Sequence, residues 1–398
     1  MQDERPTLWT RRWLILALGL AAQVSTFSFV YGVPFLMPAL RAADHLSLAQ
    51  AGLVVSAPTV GLLLTLIAWG AAADRYGERV VILTGLVGCG VLVAIAATAD
   101  IGLTGFVLLL GLAGAFGASV NAASGRVVMG WFAADERGVA MSVRQTAQPL
   151  GVAIAAVSLP MLAKGGSFRS ALLLPAGFCL ACAVAVLVFV ADPPRPAPKD
   201  DARIGSPYRA PTLWRVHGAS ALLVVPQFTI SAFGLAYLVG ARHWAAAAAG
   251  GFLAAIQVAG AVGRLGTGWW SDRVGSRLRP MRQLAMASAG VMLLAALGDE
   301  TWSWLVVVAI AVGAVITVAD NGLAYTATAE IAGPAWAGRA LGAQNTGQNV
   351  TAALTPPLLG LVIGWGGYAT AFACVAICPL LAIGLTPVRA EHAVREWV

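Results

Sequence analysis

Charge is scarce in this 398-residue sequence: Asp, Glu, Lys and Arg make up 11% of it, hydrophobic residues 59%, and the mean hydropathy is +0.80. Soluble domains carry about 25% charged residues. A chain this apolar cannot hide its surface from water, and its composition calls for a bilayer.

Other shortages exclude further classes. The five cysteines, Cys89, Cys179, Cys182, Cys374 and Cys378, lie inside apolar runs, where Cys packs as a small hydrophobe and no disulfide framework is indicated. Cys179 and Cys182 have CxxC spacing but no histidine or polar approach, so they read as packing residues rather than a metal or redox pair. His45, His217 and His243 fall at the edges of apolar runs and His392 in the tail, which leaves no Ser-His-Asp set and no metal constellation. A phosphate loop of the G-x-x-x-x-G-K-[ST] type is also missing. Neither an enzyme, nor a cofactor or metal, nor ATP-driven transport is therefore expected. The net charge of +7 is scattered over short breaks instead of forming one basic stripe, so nucleic acid is not an expected partner.

What is present is a series of long apolar runs. A membrane-crossing helix needs about 20 such residues. Twelve spans are expected, near 13–40, 48–73, 80–98, 102–131, 139–163, 168–191, 214–240, 247–270, 281–298, 302–329, 339–364 and 366–386. The first run is too long for a signal-peptide core, so no cleavable leader is expected. Unbroken runs of this length favour helices over a barrel, whose strands alternate over about ten residues. In the connections and at the span ends, only Arg41, Lys164, Arg169 and Arg242 fall on one side, and the other Lys and Arg apart from Arg126, Arg144 and Arg264 fall on the other. By the positive-inside rule both termini and the charged turns are cytoplasmic. The Pro-rich, charged break at 192–213 reads as a cytoplasmic linker between residues 1–191 and 214–398, six spans each.

The halves repeat each other. GAAADRYGER from Gly70 matches GWWSDRVGSR from Gly268 at Gly70/Gly268, Asp74/Asp272, Arg75/Arg273, Gly77/Gly275 and Arg79/Arg277. GVAMSVRQTAQ from Gly138 matches GRALGAQNTGQ from Gly338, and Asn121 pairs with Asn321 at nearly the same offset. Matches in one order at one offset indicate duplication.

The twelve-span plan with this repeated motif resembles the major facilitator superfamily of secondary transporters over essentially the whole chain. That family carries G-x-x-x-D-R-x-G-R-[KR] between spans two and three, with a weaker copy between eight and nine; Glu78 stands here where a basic residue is usual. The resemblance implies an all-α fold of two pseudo-symmetric six-helix bundles working by alternating access. Spans one, four, seven and ten would line the cavity, and five, eight and eleven would run along the interface between bundles. It further implies that Asp74, Arg75 and Arg79 belong to a latch on the cytoplasmic side, with Asp135, Glu136 and Arg137 as partners. More narrowly, MGWFAADERGVA from Met129 is similar to the W-F-P-x-x-E-R-G-x-A stretch of organic-anion, nitrate, cyanate and monocarboxylate transporters. Leu110 and Gln148-Pro149 depart from the arginine and Gly-Pro usual in proton-coupled drug exporters of the superfamily.

Ionisable residues inside spans are functional candidates by default. They are Arg126, Arg144, Arg264 and Asp320, with Glu330 at the interface. At 1.5 Å per residue from the nearest charged turn, the four lie in one layer roughly 12 to 15 Å deep. Three guanidinium groups there could bind an anion in bidentate fashion. They could equally be structural clamps, with Arg264 on Asp320 and Arg126 and Arg144 on Asp135, Glu136 or helix carbonyls. Asp320 is the candidate proton carrier. Polar candidates accompany these: Gln23 and Tyr31 on span one, Asn121 on four, Gln227 on seven, Gln257 on eight, Asn321 on ten, and Gln344 and Gln348 on eleven.

The expectation is a monomeric multi-pass carrier in the bacterial inner membrane, moving a small polar, anionic solute with proton coupling. A proton-coupled multidrug exporter and a non-transporting membrane sensor are the alternatives.

Overall fold

The computed structural model describes residues 5–46, 48–165, 167–192, 205–300 and 303–395; at some of these, among them 5–10, Gln257 and 392–395, the description is of the backbone. Residues 193–204 of the expected linker and the Gln257 side chain lie outside what is described. Among the described residues every regular element is helical, as a bilayer requires of a chain that must satisfy each backbone group within its own segment.

Among the described residues, ten helical stretches are long and apolar enough to cross a membrane. They are spans one to seven (Arg11–Leu36, Gln50–Tyr76, Glu78–Thr98, Gly102–Trp131, Arg137–Lys164, Phe168–Phe189 and Pro211–Gly234), nine (Leu278–Asp299), ten (Trp304–Ala332) and the long Ala337–Glu391. The last contains two spans, because Gly367 (φ 74°, ψ −176°) breaks the helix Ala337–Leu385 into eleven and twelve. Ala246–Val274, a helix of 29 residues, is span eight. Twelve spans result.

Two further interruptions of regular helix fall at Thr146, two residues beyond Arg144, and at Asp320, whose backbone stays right-handed helical (φ −76°, ψ −20°). Span five is made of Arg137–Gln145 and Ala147–Gly165, and span ten of Ser303–Ala319 and Asn321–Ala332, with Asp320 at the junction.

The chain forms two compact units: Met1–Phe132, Arg144–Arg203 and Pro334–Ala343 in the first, and Ala133–Val143, Ile204–Gly333 and Gln344–Val398 in the second. The first unit thus includes the start of span eleven, and the second the start of span five.

Within the first unit, span four packs against spans two and three through small residues, among them Ala113, Gly114, Gly117, Ala118 and Ser119, all buried. Lipid supplies little hydrophobic drive between helices, so close approach of small side chains provides the packing. In the second unit span ten packs in the same way against eight and nine. Large apolar residues such as Leu64, Leu108, Val157, Val262 and Leu361 face outward, where lipid would solvate them.

Candidate functional site

The turn joining spans two and three depends on Gly77, whose φ of 98° and ψ of 164° suit glycine alone. Its equivalent Gly275 ends span eight in the left-handed conformation, φ 63°. In the first unit Asp74 accepts hydrogen bonds from the backbone amides of Gly338 (2.8 Å) and Arg339 (3.1 Å), at the start of span eleven. A carboxylate there meets free amides and the positive end of the helix dipole. Gly70 lies against Gly338 so closely that a Cβ on either would strike the other's carbonyl. Arg126 of span four donates to Asp74, to Glu78 at 2.6 Å and to the carbonyl of Pro334 at 3.0 Å. The carboxylates of Asp74 and Glu78 are only 3% and 2% exposed, so a cation is needed beside them. Arg79 donates through its amide to Asp192 (2.8 Å) and through its guanidinium to the carbonyl of Leu187, while Arg75 lies exposed over the Tyr76 ring.

The second unit repeats the acid contact with different partners. Asp272 accepts from the amides of Gly138 and Val139, both at 2.9 Å, at the start of span five. Its cation is Arg277, 1% exposed, which also reaches Glu330 (3.3 Å), Ser271 (3.0 Å) and the carbonyl of Ala134. Arg137 approaches Glu330 at 3.9 Å, and Arg273 lies over the Trp269 ring, 4.4 Å from its centroid. The aspartates of both turns therefore engage helix-start amides and arginines, and of the expected latch partners Arg137 reaches Glu330.

Deeper in each unit sits an amide pair. Gln23 of span one donates to Asn121 of span four at 3.1 Å, and Asn321 of span ten donates to Gln227 of span seven at 3.1 Å. In the first unit Arg144, 1% exposed, adds bonds to the carbonyl and side-chain oxygens of Asn121, to Ser124 and to Gln145. In the second, Gln348 donates to Ser220 (2.7 Å) and to Asn321 (3.3 Å). Gln344, at the position matching Arg144, accepts from the Nδ1–H of His217, and Tyr208 donates to the other ring nitrogen at 3.1 Å. Burial pushes the Tyr208 phenol, outside the spans, up to about 12, so it remains a donor. Arg264 donates to the carbonyl of Val318 at 3.1 Å. Beside Asn321, Asp320 is 3% exposed, and its Oδ2 has no hydrogen-bond partner among the described residues. A small cavity lined by Gln227, Ser231, Leu253, Ile256, Thr317 and Val318 opens alongside. Tyr31 lies against the Phe27 ring, centroids 5.4 Å apart and planes tilted by 36°.

The family model of the Major Facilitator Superfamily matches residues 14–356. This chain belongs to that superfamily. Over 391 residues it is 43% identical to an uncharacterized MFS-type transporter of Mycobacterium tuberculosis, covering 96% of this chain and 86% of that one. Its fold is similar to that of the E. coli fucose:proton symporter (TM-score 0.74, 17% identity, 95% and 99% of the two chains). It also resembles the human organic anion transporter MFSD10 (0.72, 17%, 95% and 99%) and the proton:xylose symporter XylE (0.71, 13%, 94% of each). At these identities the solved structures speak for the fold alone. The curated relative's name carries no substrate, so the narrower likeness to anion and monocarboxylate carriers gains nothing from it.

For this member of the superfamily, the structure brings Asn121, Arg144 and Gln23 together in one unit and Asn321, Gln227 and Gln348 in the other. It does not bring Arg126 to the amides; that arginine belongs to the charged turn. Sequence reasoning did not pair Glu78 with Arg126. The signal was there: an acid standing where the family motif has a cation, and an arginine one span away able to balance it.

Proposed function

We propose that this chain is a secondary active transporter carrying a small polar, anionic solute by alternating access, with Asp320 as the proton-carrying group. The observation that carries the reading is the repeated amide pair, Gln23 with Asn121 and Gln227 with Asn321. Spans one, four, seven and ten are the ones the family uses to line its solute path, and amides are of little use against lipid. The guanidinium groups of Arg144 in the first unit and Arg264 in the second each favour an anion, since a guanidinium offers charge-assisted hydrogen bonds. Asp320, buried and with one carboxyl oxygen that has no hydrogen-bond partner among the described residues, can take up and release a proton there without dismantling a bond. The Lys and Arg distribution supports both termini in the cytoplasm of a cell whose plasma membrane holds the carrier.

The test is uptake into proteoliposomes of a panel of carboxylates, inorganic anions and neutral polyols, with and without a pH gradient. Anions should be taken up, faster with the gradient, and Asp320→Asn should abolish the gradient's effect. Uptake indifferent to solute charge would end the anionic reading, and an unaltered gradient effect in Asp320→Asn would end the role of Asp320.

A further inference from the structure

The helix after span twelve, Val388–Arg395, is short and polar, yet its Glu391 is 7% exposed. Both carboxylate oxygens are used. One accepts from the backbone amide of Arg277; the other accepts from Ser276 Oγ at 2.5 Å and from the amide of Leu278 at 3.2 Å. These amides open the helix Leu278–Glu300, so Glu391 acts as the N-terminal cap that this helix otherwise takes only from Ser276, whose hydroxyl accepts from Arg279 at 3.1 Å.

An equivalent contact exists in the other half of the sequence. Asp192, just beyond the end of span six, accepts from the amide of Arg79 at 2.8 Å. Arg79 and Arg277 are the matching last arginines of the repeated motif, and Asp192 and Glu391 follow the sixth span of their respective halves. Neither acid belongs to the motif, yet both bind the same amide of it.

We infer that Glu391, and more weakly Asp192, are positioning residues that fix the backbone of the charged turn, so that the tail following each set of six spans sets how firmly that turn holds its helix-start partner. In the second unit the chain of contacts is continuous. Glu391 holds the Arg277 backbone; the Arg277 side chain holds Asp272 and the Ala134 carbonyl; Asp272 holds the amides of Gly138 and Val139. Removing the cap frees the Arg277 backbone, and its guanidinium then loses the register needed for all of these at once. In the first unit the link is weaker, because Asp192 is exposed and the Arg79 side chain goes to Leu187 instead of Asp74.

Cysteine reporters test this without knowledge of the solute. Ser142→Cys, fully buried against Gly268 and Gly322, reports on the start of span five, and Ala340→Cys, fully buried in the first unit, reports on the start of span eleven. Maleimide labelling is followed in native membranes, against a background lacking the five native cysteines. Glu391→Ala is expected to speed labelling of Ser142→Cys several-fold and leave Ala340→Cys unchanged, and Asp192→Ala to affect only Ala340→Cys, by less. Glu391→Gln, which keeps an acceptor, should restore part of the protection. Should Glu391→Ala fail to accumulate, Glu391→Gln is read in its place, with a smaller rise at Ser142→Cys as the required result. An equal rise at both reporters means general loosening and overturns the inference, as does an unchanged rate at Ser142→Cys in a variant that accumulates normally.

Discussion

The two units build the same contact from opposite arrangements of charge. In each, an aspartate of the repeated motif binds two successive amides at the start of a span, Asp74 at span eleven and Asp272 at span five. Beyond that the parts change places. In the first unit the second acid, Glu78, is on the turn and the cation, Arg126, is on span four; in the second the cation, Arg277, is on the turn and the second acid, Glu330, is on span ten. The aspartate and amides must keep their positions, because hydrogen bonds to backbone demand a defined geometry. Charge balance is less directional, and a cation can supply it from either side.

The largest effect expected from breaking this comparison is at Arg277. Arg277→Ala leaves Asp272 without its cation and Glu330 with only the longer contact to Arg137, in a site where the arginine is 1% exposed, and removing one partner of a buried pair costs about 3–5 kcal/mol. Thermal unfolding of the purified protein should show the greatest loss here. A melting temperature near the parent's would mean that water already reaches both acids.

Next in size is an exchange that turns the first arrangement into the second. Glu78→Arg and Arg126→Glu should each depress melting temperature and accumulation strongly, since each places like charges side by side, and the double variant should recover much of the loss. If the double variant is as poor as the worse single, the placement of these charges is fixed by more than their sum.

Asp74→Ala and Asp272→Ala should separate stability from transport. After either change the cation keeps a partner, Glu78 for Arg126 and Glu330 for Arg277, so folding should largely survive. What is lost is the pair of amide bonds that ties the turn to the start of span eleven or span five. Transport should fall on the order of tenfold or more, an effect of about 1.4 kcal/mol per decade. Full uptake activity in Asp74→Ala would reduce the turn to a topological anchor.

Much of this architecture was legible in the sequence because lipid leaves few options. Apolar length marks the spans, and the offset of Gly70 and Gly268 exposes the duplication. The glycines were legible too, since the reversals at Gly77 and Gly275 carry positive φ. The partners were not. Depth counted along one helix put Arg126 and Arg144 in a single layer, but it says nothing about direction around the helix. Arg126 turns to Asp74 and Glu78, Arg144 to Asn121 and Ser124. Glu391 was hidden for another reason: it lies in a polar tail, where an acid carries no pattern, and only the fold brings it to the amides of Arg277 and Leu278.

The smallest expected effect concerns the amide pairs, and it separates two sites that look alike. Hydrogen bonds between membrane helices are worth about 0.6 kcal/mol on average, and each asparagine keeps a second partner, Arg144 for Asn121 and Gln348 for Asn321. Gln23→Ala and Gln227→Ala should therefore both melt close to the parent. Their surroundings differ, however: Gln23 is 1% exposed, whereas Gln227 is half-buried and lines the cavity beside Thr317 and Val318. On the proposed function, Gln227 is therefore the amide placed to meet solute first, whereas Gln23 is enclosed by its own unit. For whichever anion of the panel raises the melting temperature of the parent, Gln227→Ala should weaken that shift severalfold more than Gln23→Ala. Equal losses would mean that both amides meet the solute and that the symmetry of the sequence extends to binding.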